Sequence, residues 1–498
     1  MEARAKTNPI HFGTDGWRAV IAQDFTFDNV RICAQGLADY LRQSGLSGQG
    51  MVIGYDTRFA SEDFAAAAAE VVAANHIKVY LSPKAIPTPE ASFGVTVKKA
   101  AAAIVITASH NPARYNGFKV KSADGASAPA ETVGALEENI RRIFESGRIE
   151  KMPLQEAIAQ GRVEHFDFDP LYLRQMARFI DLPRLKQSRL KIVVDSMFGA
   201  GSGYFKDLLS GGPVELSEIN SERNPAFPGI NPEPIATNLK KLSAMVKAEK
   251  AAVGLATDGD ADRIGIMDEK GNFLTQLEVF ALLALYLLEV RGQRGAIVKT
   301  VTATSMLYRL GELFDVPVIE TPVGFKYVAP VMLEKDALIG GEESGGYGFR
   351  GHVPERDAVL AGLYFLDFMV STGKSPSQLL EYLFSKVGPH YYNRRDFHFP
   401  EEDRGSIIRR IQGLKPDEIA GSAVVRSDTL DGFRFFTRDN SWLLVRFSGT
   451  EPLIRIYAES DSPQRAEKFL DFGQEMTGLR YVRKGDRRPG LPRSISAA

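Results

Sequence analysis

At 498 residues the chain is long enough for three or four domains at about 150 residues each. Its 44% apolar and 25% charged residues are those of an ordinary globular protein and exclude fibrous, collagen-like and disordered classes. With 61 Lys+Arg against 62 Asp+Glu the net charge is -1, so no global field would hold it on nucleic acid or an anionic membrane; any anion must be bound locally.

In chain order, the polar start Met1 to Ile10 lacks the apolar segment of a signal peptide. The single cysteine, Cys33, permits neither an internal disulfide nor a thiolate metal site, which points to a reducing compartment; a cytoplasmic protein is expected. Helices are predicted over Phe25 to Ser44 and Ser61 to Ala74, the second with Ser61 as N-cap, and strands over Met51 to Tyr55, Ile77 to Leu81 and Ala102 to Ile106. This is the alternation of α/β domains with mainly parallel sheets. The charged stretches Ala135 to Ile149 and Pro153 to Arg162 connect to a second cycle with strands at Leu190 to Asp195, Pro213 to Ile219 and Ala252 to Ala256. A third has strands at Ala296 to Val301, Val316 to Glu320 and Ala337 to Ile339. The longest apolar run, Val279 to Leu288, falls short of the ~20 residues that span a bilayer and is expected as a buried helix.

After a helix at Ser375 to Val387 the texture changes to closely spaced strands: Tyr391 to Phe397, Gly432 to Thr437, Trp442 to Phe447 and Ile454 to Glu459, with helices at Asp403 to Ile411 and Ser462 to Met476. The expected domains are 1–160, 161–272 and 273–388, all α/β, and a smaller α+β domain at 389–498. The Arg-, Pro-, Gly- and Ser-rich tail Lys484 to Ala498 has no periodicity and is expected to fray.

Four segments carry chemistry. The first strand–loop junction, Thr107-Ala108-Ser109-His110-Asn111-Pro112, would display Ser109 at the carboxyl end of a parallel strand, where open α/β sheets place ligands. Read alone, it is equally an ordinary Asn-Pro turn. His110 adjoins the hydroxyl, and Lys119 would become an acid/base candidate if burial near other cations lowered its pKa. The second, Asp258-Gly259-Asp260-Ala261-Asp262-Arg263, sets three carboxylates at alternate positions, an oxygen-donor set for Mg²⁺ or Ca²⁺. An EF-hand is excluded, because Arg263 stands where that loop requires glycine and both flanks read as strands. The third, Gly340-Gly341-Glu342-Glu343-Ser344-Gly345-Gly346, followed by His352, Arg356 and Asp357, offers groups for sugar hydroxyls. The fourth, Arg446-Phe447-Ser448-Gly449-Thr450-Glu451-Pro452 with Arg455 beyond it, makes a phosphate cradle. The glycine-rich Gly199 to Gly203 is no dinucleotide fingerprint, since Tyr204 occupies the third glycine position, and no P-loop is present.

Together and in this order the four segments resemble the α-D-phosphohexomutase family of phosphoglucomutases and phosphomannomutases, over nearly the whole chain. Gly13-Thr14-Asp15-Gly16-Trp17-Arg18 is similar to the family's opening. The resemblance implies four domains around a central cleft, Ser109 as phosphoserine, and Mg²⁺ on Asp258, Asp260, Asp262 and the Ser109 phosphate. It implies catalytic roles for Ser109, His110, Lys119 and Arg18. Substrate contacts are implied for Arg263, Gly324, Lys326, Glu342, Ser344 and His352, and phosphate contacts for Arg446, Ser448, Gly449, Thr450 and Arg455. A hexose 1,6-bisphosphate is the implied intermediate and activator, and a small phosphosugar the only implied partner, with no nucleic acid or membrane, for a monomer or homodimer. Gly346 and Phe325 stand where some dual-specificity members carry histidine, so glucose phosphate is the expected substrate, with mannose or glucosamine phosphate as alternatives. A catalytically silent phosphosugar-binding protein and a calcium-binding scaffold are rival readings.

Overall fold

Three sheets and their helices occupy the chain up to Val387, and a fourth sheet forms a separate unit from Gly388. The computed structural model describes residues 8–448 and 452–479. The tail from Lys484 lies outside the described residues.

The first sheet runs in the order Trp17–Val20, Tyr115–Lys121, Ala102–Ile106, Met51–Tyr55, Val79–Leu81, Val163–His165. Met51–Tyr55 and Ala102–Ile106 pair in parallel and are buried throughout. A sheet covered on both faces asks for continuous apolar runs, which is how these strands read. Tyr115–Lys121 returns antiparallel to Ala102–Ile106 and sets Lys119 opposite Val105.

The second sheet has the order Phe273–Leu274, Ile264–Met267, Val253–Thr257, Lys191–Asp195, Glu215–Ile219. Thr257 pairs with Ile264, so the three-aspartate segment is the turn of a hairpin. The third has the order Val318–Thr321, Ile297–Thr300, Ile339–Gly341, Tyr347–Phe349; Gly341 pairs with Tyr347, and Glu342 to Gly346 form another hairpin turn. The Gly199 to Gly203 segment is a tight turn into helix Tyr204–Leu209. A Cβ at Gly199 would lie 2.7 Å from the Asp258 carbonyl oxygen, so glycine lets this turn rest on the aspartate hairpin.

The C-terminal unit holds an antiparallel sheet in the order Tyr391–His398, Leu453–Ser460, Trp442–Phe447, Phe433–Thr437, Ser422–Asp428, Glu418–Ile419, with helices Arg404–Gln412 and Pro463–Thr477. The strand Ser422–Asp428 was not anticipated: it is mostly solvent-facing and lacks the alternation that marks a half-buried strand.

Element edges shift in places for identifiable reasons. Val163–His165 pairs with Val79–Leu81, so the first sheet continues past residue 160, and Phe273–Leu274 adds to the second sheet past 272. Ser61 is the first residue of helix Ser61–Ala74 rather than its N-cap; Ala60 precedes it in a left-handed conformation, and the Ser61 hydroxyl donates to Asp56 at 2.9 Å. The apolar run Val279 to Leu288 is buried in the α-helix Gln276–Leu285, opened by a Thr275/Glu278 capping box, and in the π-helical turn Tyr286–Val290 that follows it. Among the described residues no helix is long and apolar enough to cross a membrane.

Candidate active site

The Ser109 loop begins where strand Ala102–Ile106 ends. The Thr107 hydroxyl donates to Asp56 at 2.6 Å and accepts from the Ser109 backbone N–H at 2.8 Å. Ser109 has φ 53°, a left-handed conformation that costs a non-glycine residue about 1–3 kcal/mol and persists only where surrounding contacts impose it. Those contacts come from Arg58. Its buried guanidinium donates to the carbonyls of Ser109 (2.6 Å), Asn111 (2.5 Å), Pro112 and Tyr115 (3.0 Å each) and pairs with Asp56 at 3.1 Å. Neither Asp56 nor Arg58 was singled out from the sequence. Both follow the parallel strand Met51–Tyr55, so the strand-end rule that exposed Ser109 would have found them.

The Ser109 hydroxyl donates to Asp258 Oδ2 at 2.8 Å, joining this loop to the aspartate hairpin. The other Asp258 oxygen accepts from the backbone N–H groups of Asp262 (3.0 Å) and Arg263 (3.1 Å). A Cβ at Gly259 would run into the Ser109 carbonyl oxygen, which is why the turn needs glycine. Asp258, Asp260 and Asp262 are fully buried and bring carboxylate oxygens within 4.8 Å of one another. Oδ1 of Asp260 and of Asp262 is buried with no hydrogen-bond partner. A buried unpaired carboxylate oxygen is costly, and a hard cation satisfies it, so the triad fits an oxygen-liganded metal. Burial and the neighbouring Asp262 and Asp260 push the Asp258 carboxyl well above its ordinary value. Asp260 is also pushed up by burial, but Lys119 outweighs this and holds it low.

Lys119 is buried and pairs with Asp15 (2.7 Å), Asp260 (2.8 Å) and Asp262 (3.1 Å). Its direct partners are three carboxylates, which outweigh the lowering effect of nearby Arg356. Burial lowers its pKa, yet the three carboxylates prevail and raise it. Arg356 is a second hub that sequence reasoning left without a role. Its guanidinium reaches Asp15 (2.8 Å), Asp262 (2.8 Å), Glu355 (3.1 Å) and Glu342 (3.3 Å), tying the N-terminal loop, the aspartate hairpin and the glutamate hairpin to one group.

The remaining expected residues divide. Arg18 donates to Asn111 at 2.7 Å and so reaches the Ser109 loop. His110 Nδ1 lies 3.4 Å from Ser109 Oγ; burial, Arg263 and Arg18 push its pKa well below the ordinary 6.5, leaving the ring neutral. Arg263 Nε stands 3.7 Å from Asp262 and is buried without a hydrogen-bond partner. The Glu342 carboxyl is raised by burial and held at Arg356, with half-buried Ser344 on the same turn. A Cβ at Gly324 would meet Thr14 Cγ2 at 2.5 Å, so this glycine abuts the N-terminal loop, next to half-buried Lys326. The His352 side chain has no exposure, its Nε2 bonds Asp357 at 2.9 Å, and its ring packs among Phe93, Tyr172 and Phe179.

In the C-terminal unit Arg446 and Arg455 lie directly opposite each other on adjacent antiparallel strands. Arg446 is 3.0 Å from Asp431 and Arg455 3.8 Å from Asp396. Ser448 follows, buried, its N–H donating to the Leu453 carbonyl at 2.8 Å. Gly449 and Thr450 lie outside the described residues.

Comparison with known proteins agrees along the chain. The models for phosphoglucomutase/phosphomannomutase domains I, II and III match residues 9–147, 170–271 and 277–387, and that for the family's C-terminal domain matches 404–472. A Thermococcus kodakarensis protein named phosphoglucomutase/phosphomannomutase is 31% identical over 93% of this chain and 97% of its own length. A Methanothermobacter thermautotrophicus protein named a probable phosphoglucosamine mutase is 32% identical over 92% and 95%. The crystal structure of a Thermus thermophilus protein provisionally named a phosphomannomutase superposes with a TM-score of 0.82 at 35% identity, covering 95% of this chain and 99% of that one. Fold and site thus define a mutase of the isomerase class that acts on sugar phosphates. The chain belongs to the phosphoglucomutase/phosphomannomutase family.

Proposed function

We propose that this mutase interconverts glucose 1-phosphate and glucose 6-phosphate through a phosphoserine at Ser109. The observation that carries the mechanism is the strained, buried Ser109 with its hydroxyl on Asp258, beside two carboxylate oxygens that lack partners. Asp258, Asp260, Asp262 and the Ser109 phosphate would hold Mg²⁺, which when bound supplies charge neutralisation for the transferring phosphoryl group.

In the first half-reaction the substrate's 6-hydroxyl oxygen bonds to the phosphorus on Ser109 and the Oγ–P bond breaks. One phosphoryl group moves to the sugar and one proton returns to the serine. Neutral His110, 3.4 Å from Oγ, is the candidate to relay that proton. Lys119 contributes fixed positive charge. The resulting glucose 1,6-bisphosphate turns over, and Ser109 Oγ takes the 1-phosphate in the mirror-image step. Glu342 and Ser344 would bind sugar hydroxyls, while Arg446, Ser448, Gly449, Thr450 and Arg455 would grip the phosphate that is not reacting.

The glucose assignment is supported by two positions. Phe325 is buried with Arg356 5.5 Å above its ring, and a Cβ at Gly346 would run into the Arg356 side chain, so neither supplies a proton-handling group. Mannose or glucosamine phosphate is the second reading, favoured by the names of the relatives. A coupled assay with Mg²⁺ and a trace of glucose 1,6-bisphosphate, comparing the three 1-phosphates, decides between them. Fastest turnover of glucose 1-phosphate supports the first reading, and a higher kcat/KM for either other sugar replaces it.

A further inference from the structure

A second polar hollow lies apart from the Ser109 cluster, where helix Asp169–Phe179 ends beside Arg291, the residue after the π-helical turn Tyr286–Val290, and helix Ala358–Thr372, which carries Asp367. It consists of two adjoining cavities of about 420 and 480 Å³ that share Arg178, Phe179 and Arg291. Arg184 lines the first and Arg350 the second. Asp181 and Asp367 line the first cavity; among the described residues no carboxylate lines the second. Asp367 is 1% exposed and already occupied by Arg184 and the Tyr286 hydroxyl. Arg350 pairs with Asp336 at 3.3 Å.

The two shared arginines make no ion pair among the described residues, although the Arg291 guanidinium lies 6.0 and 5.9 Å from the Tyr286 and Tyr364 rings. Arg178 is exposed and donates only to Gln175, at 3.3 Å; it makes no ion pair among the described residues. Arg291 donates from one nitrogen to the Phe179 carbonyl (2.9 Å) and to Tyr286 (3.3 Å), with no carboxylate partner among the described residues. Each guanidinium has five N–H donors, so most of theirs remain available. Helix carboxyl ends nearby contribute at most about half a negative charge each, which fades within a turn and does not offset two full guanidinium charges. A tetrahedral phosphate can accept from several forks at once, a better match than a planar carboxylate. The volume suits a small molecule.

We propose that this groove binds a small phosphate-bearing metabolite, gripped by Arg178 and Arg291 and flanked by Arg184 and Arg350, as a site separate from the mutase centre. Pyrophosphate is the probe, titrated calorimetrically into the full-length protein, into Arg446→Ala to subtract the family's own phosphate site, and into Arg178→Glu. The expected result is a binding event that survives Arg446→Ala and weakens at least about tenfold in Arg178→Glu, with the mutase activity and thermal midpoint of Arg178→Glu itself at wild-type values. Arg291→Gln, which should weaken it similarly, keeps the test decisive if the charge reversal fails to fold. Unchanged binding in both groove variants, or a wild-type signal that disappears entirely with Arg446→Ala, overturns the proposal.

Discussion

The Ser109 cluster and the arginine pair of the C-terminal unit both handle phosphate chemistry in the proposed function, yet they are built oppositely. Around Ser109 the charges are buried and networked: Lys119 and Arg356 between them pair with Asp15, Asp260, Asp262, Glu342 and Glu355, while Oδ1 of Asp260 and of Asp262 has no hydrogen-bond partner among the described residues. At Arg446 and Arg455 two like charges face each other across a strand pair, partly exposed, each with one carboxylate at 3.0–3.8 Å. Like charges directly opposite in a sheet are destabilising until an anion settles between them. In the proposed function the first region is preorganised for transition-state charge and the second is a grip whose two guanidinium Nε atoms have no hydrogen-bond partner among the described residues. Damage to the first should therefore appear in kcat and stability, and damage to the second in KM.

The largest effect belongs to Ser109→Ala, expected to lower kcat on the order of 10⁴-fold or more in the coupled assay, as loss of a covalent carrier does. Arg58→Met should cost about 3–5 kcal/mol in urea unfolding, because it strands buried Asp56 and frees four loop carbonyls. Equal stability of that variant and wild type would mean that the loop holds itself. Arg356→Gln should lower both kcat and Mn²⁺ affinity by paramagnetic titration, with partial recovery in Arg356→Lys; a change in KM alone would contradict its place in the networked cluster. Arg446→Ala and Arg455→Ala should each raise KM about 10- to 100-fold with kcat little changed, the scale of one charge-assisted hydrogen bond.

The smallest effect is a pH dependence. The His110 pKa is lower folded than unfolded, so below about 6.5 the unfolded chain binds the extra proton and stability falls as pH drops. His110→Gln should flatten that part of the stability–pH curve, and an unaltered slope would assign the acid sensitivity elsewhere.

These two regions also separate what the sequence revealed from what it concealed. Ser109, the three aspartates and Arg446 with Arg455 sit in short local patterns at strand ends or on paired strands, and the structure brings each group together. Asp15 and Arg356 meet across 341 positions, and Arg58 reaches loop carbonyls more than fifty positions away, contacts that only the tertiary fold shows. The aromatic surroundings of His352 were equally hidden: its neighbours in sequence are glycine-rich, while its ring packs against Phe179 and bonds Asp357. Ser422–Asp428 escaped notice because a solvated strand carries no apolar period.

The most direct test of the phosphoserine claim is mass spectrometry of the full-length protein after incubation with glucose 1,6-bisphosphate and Mg²⁺, with peptide mapping before and after a chase with glucose 1-phosphate. One phosphate on Ser109, discharged by the chase and absent from Ser109→Ala, is the predicted result. A phosphate on another residue, or full turnover by Ser109→Ala without any label, would contradict it.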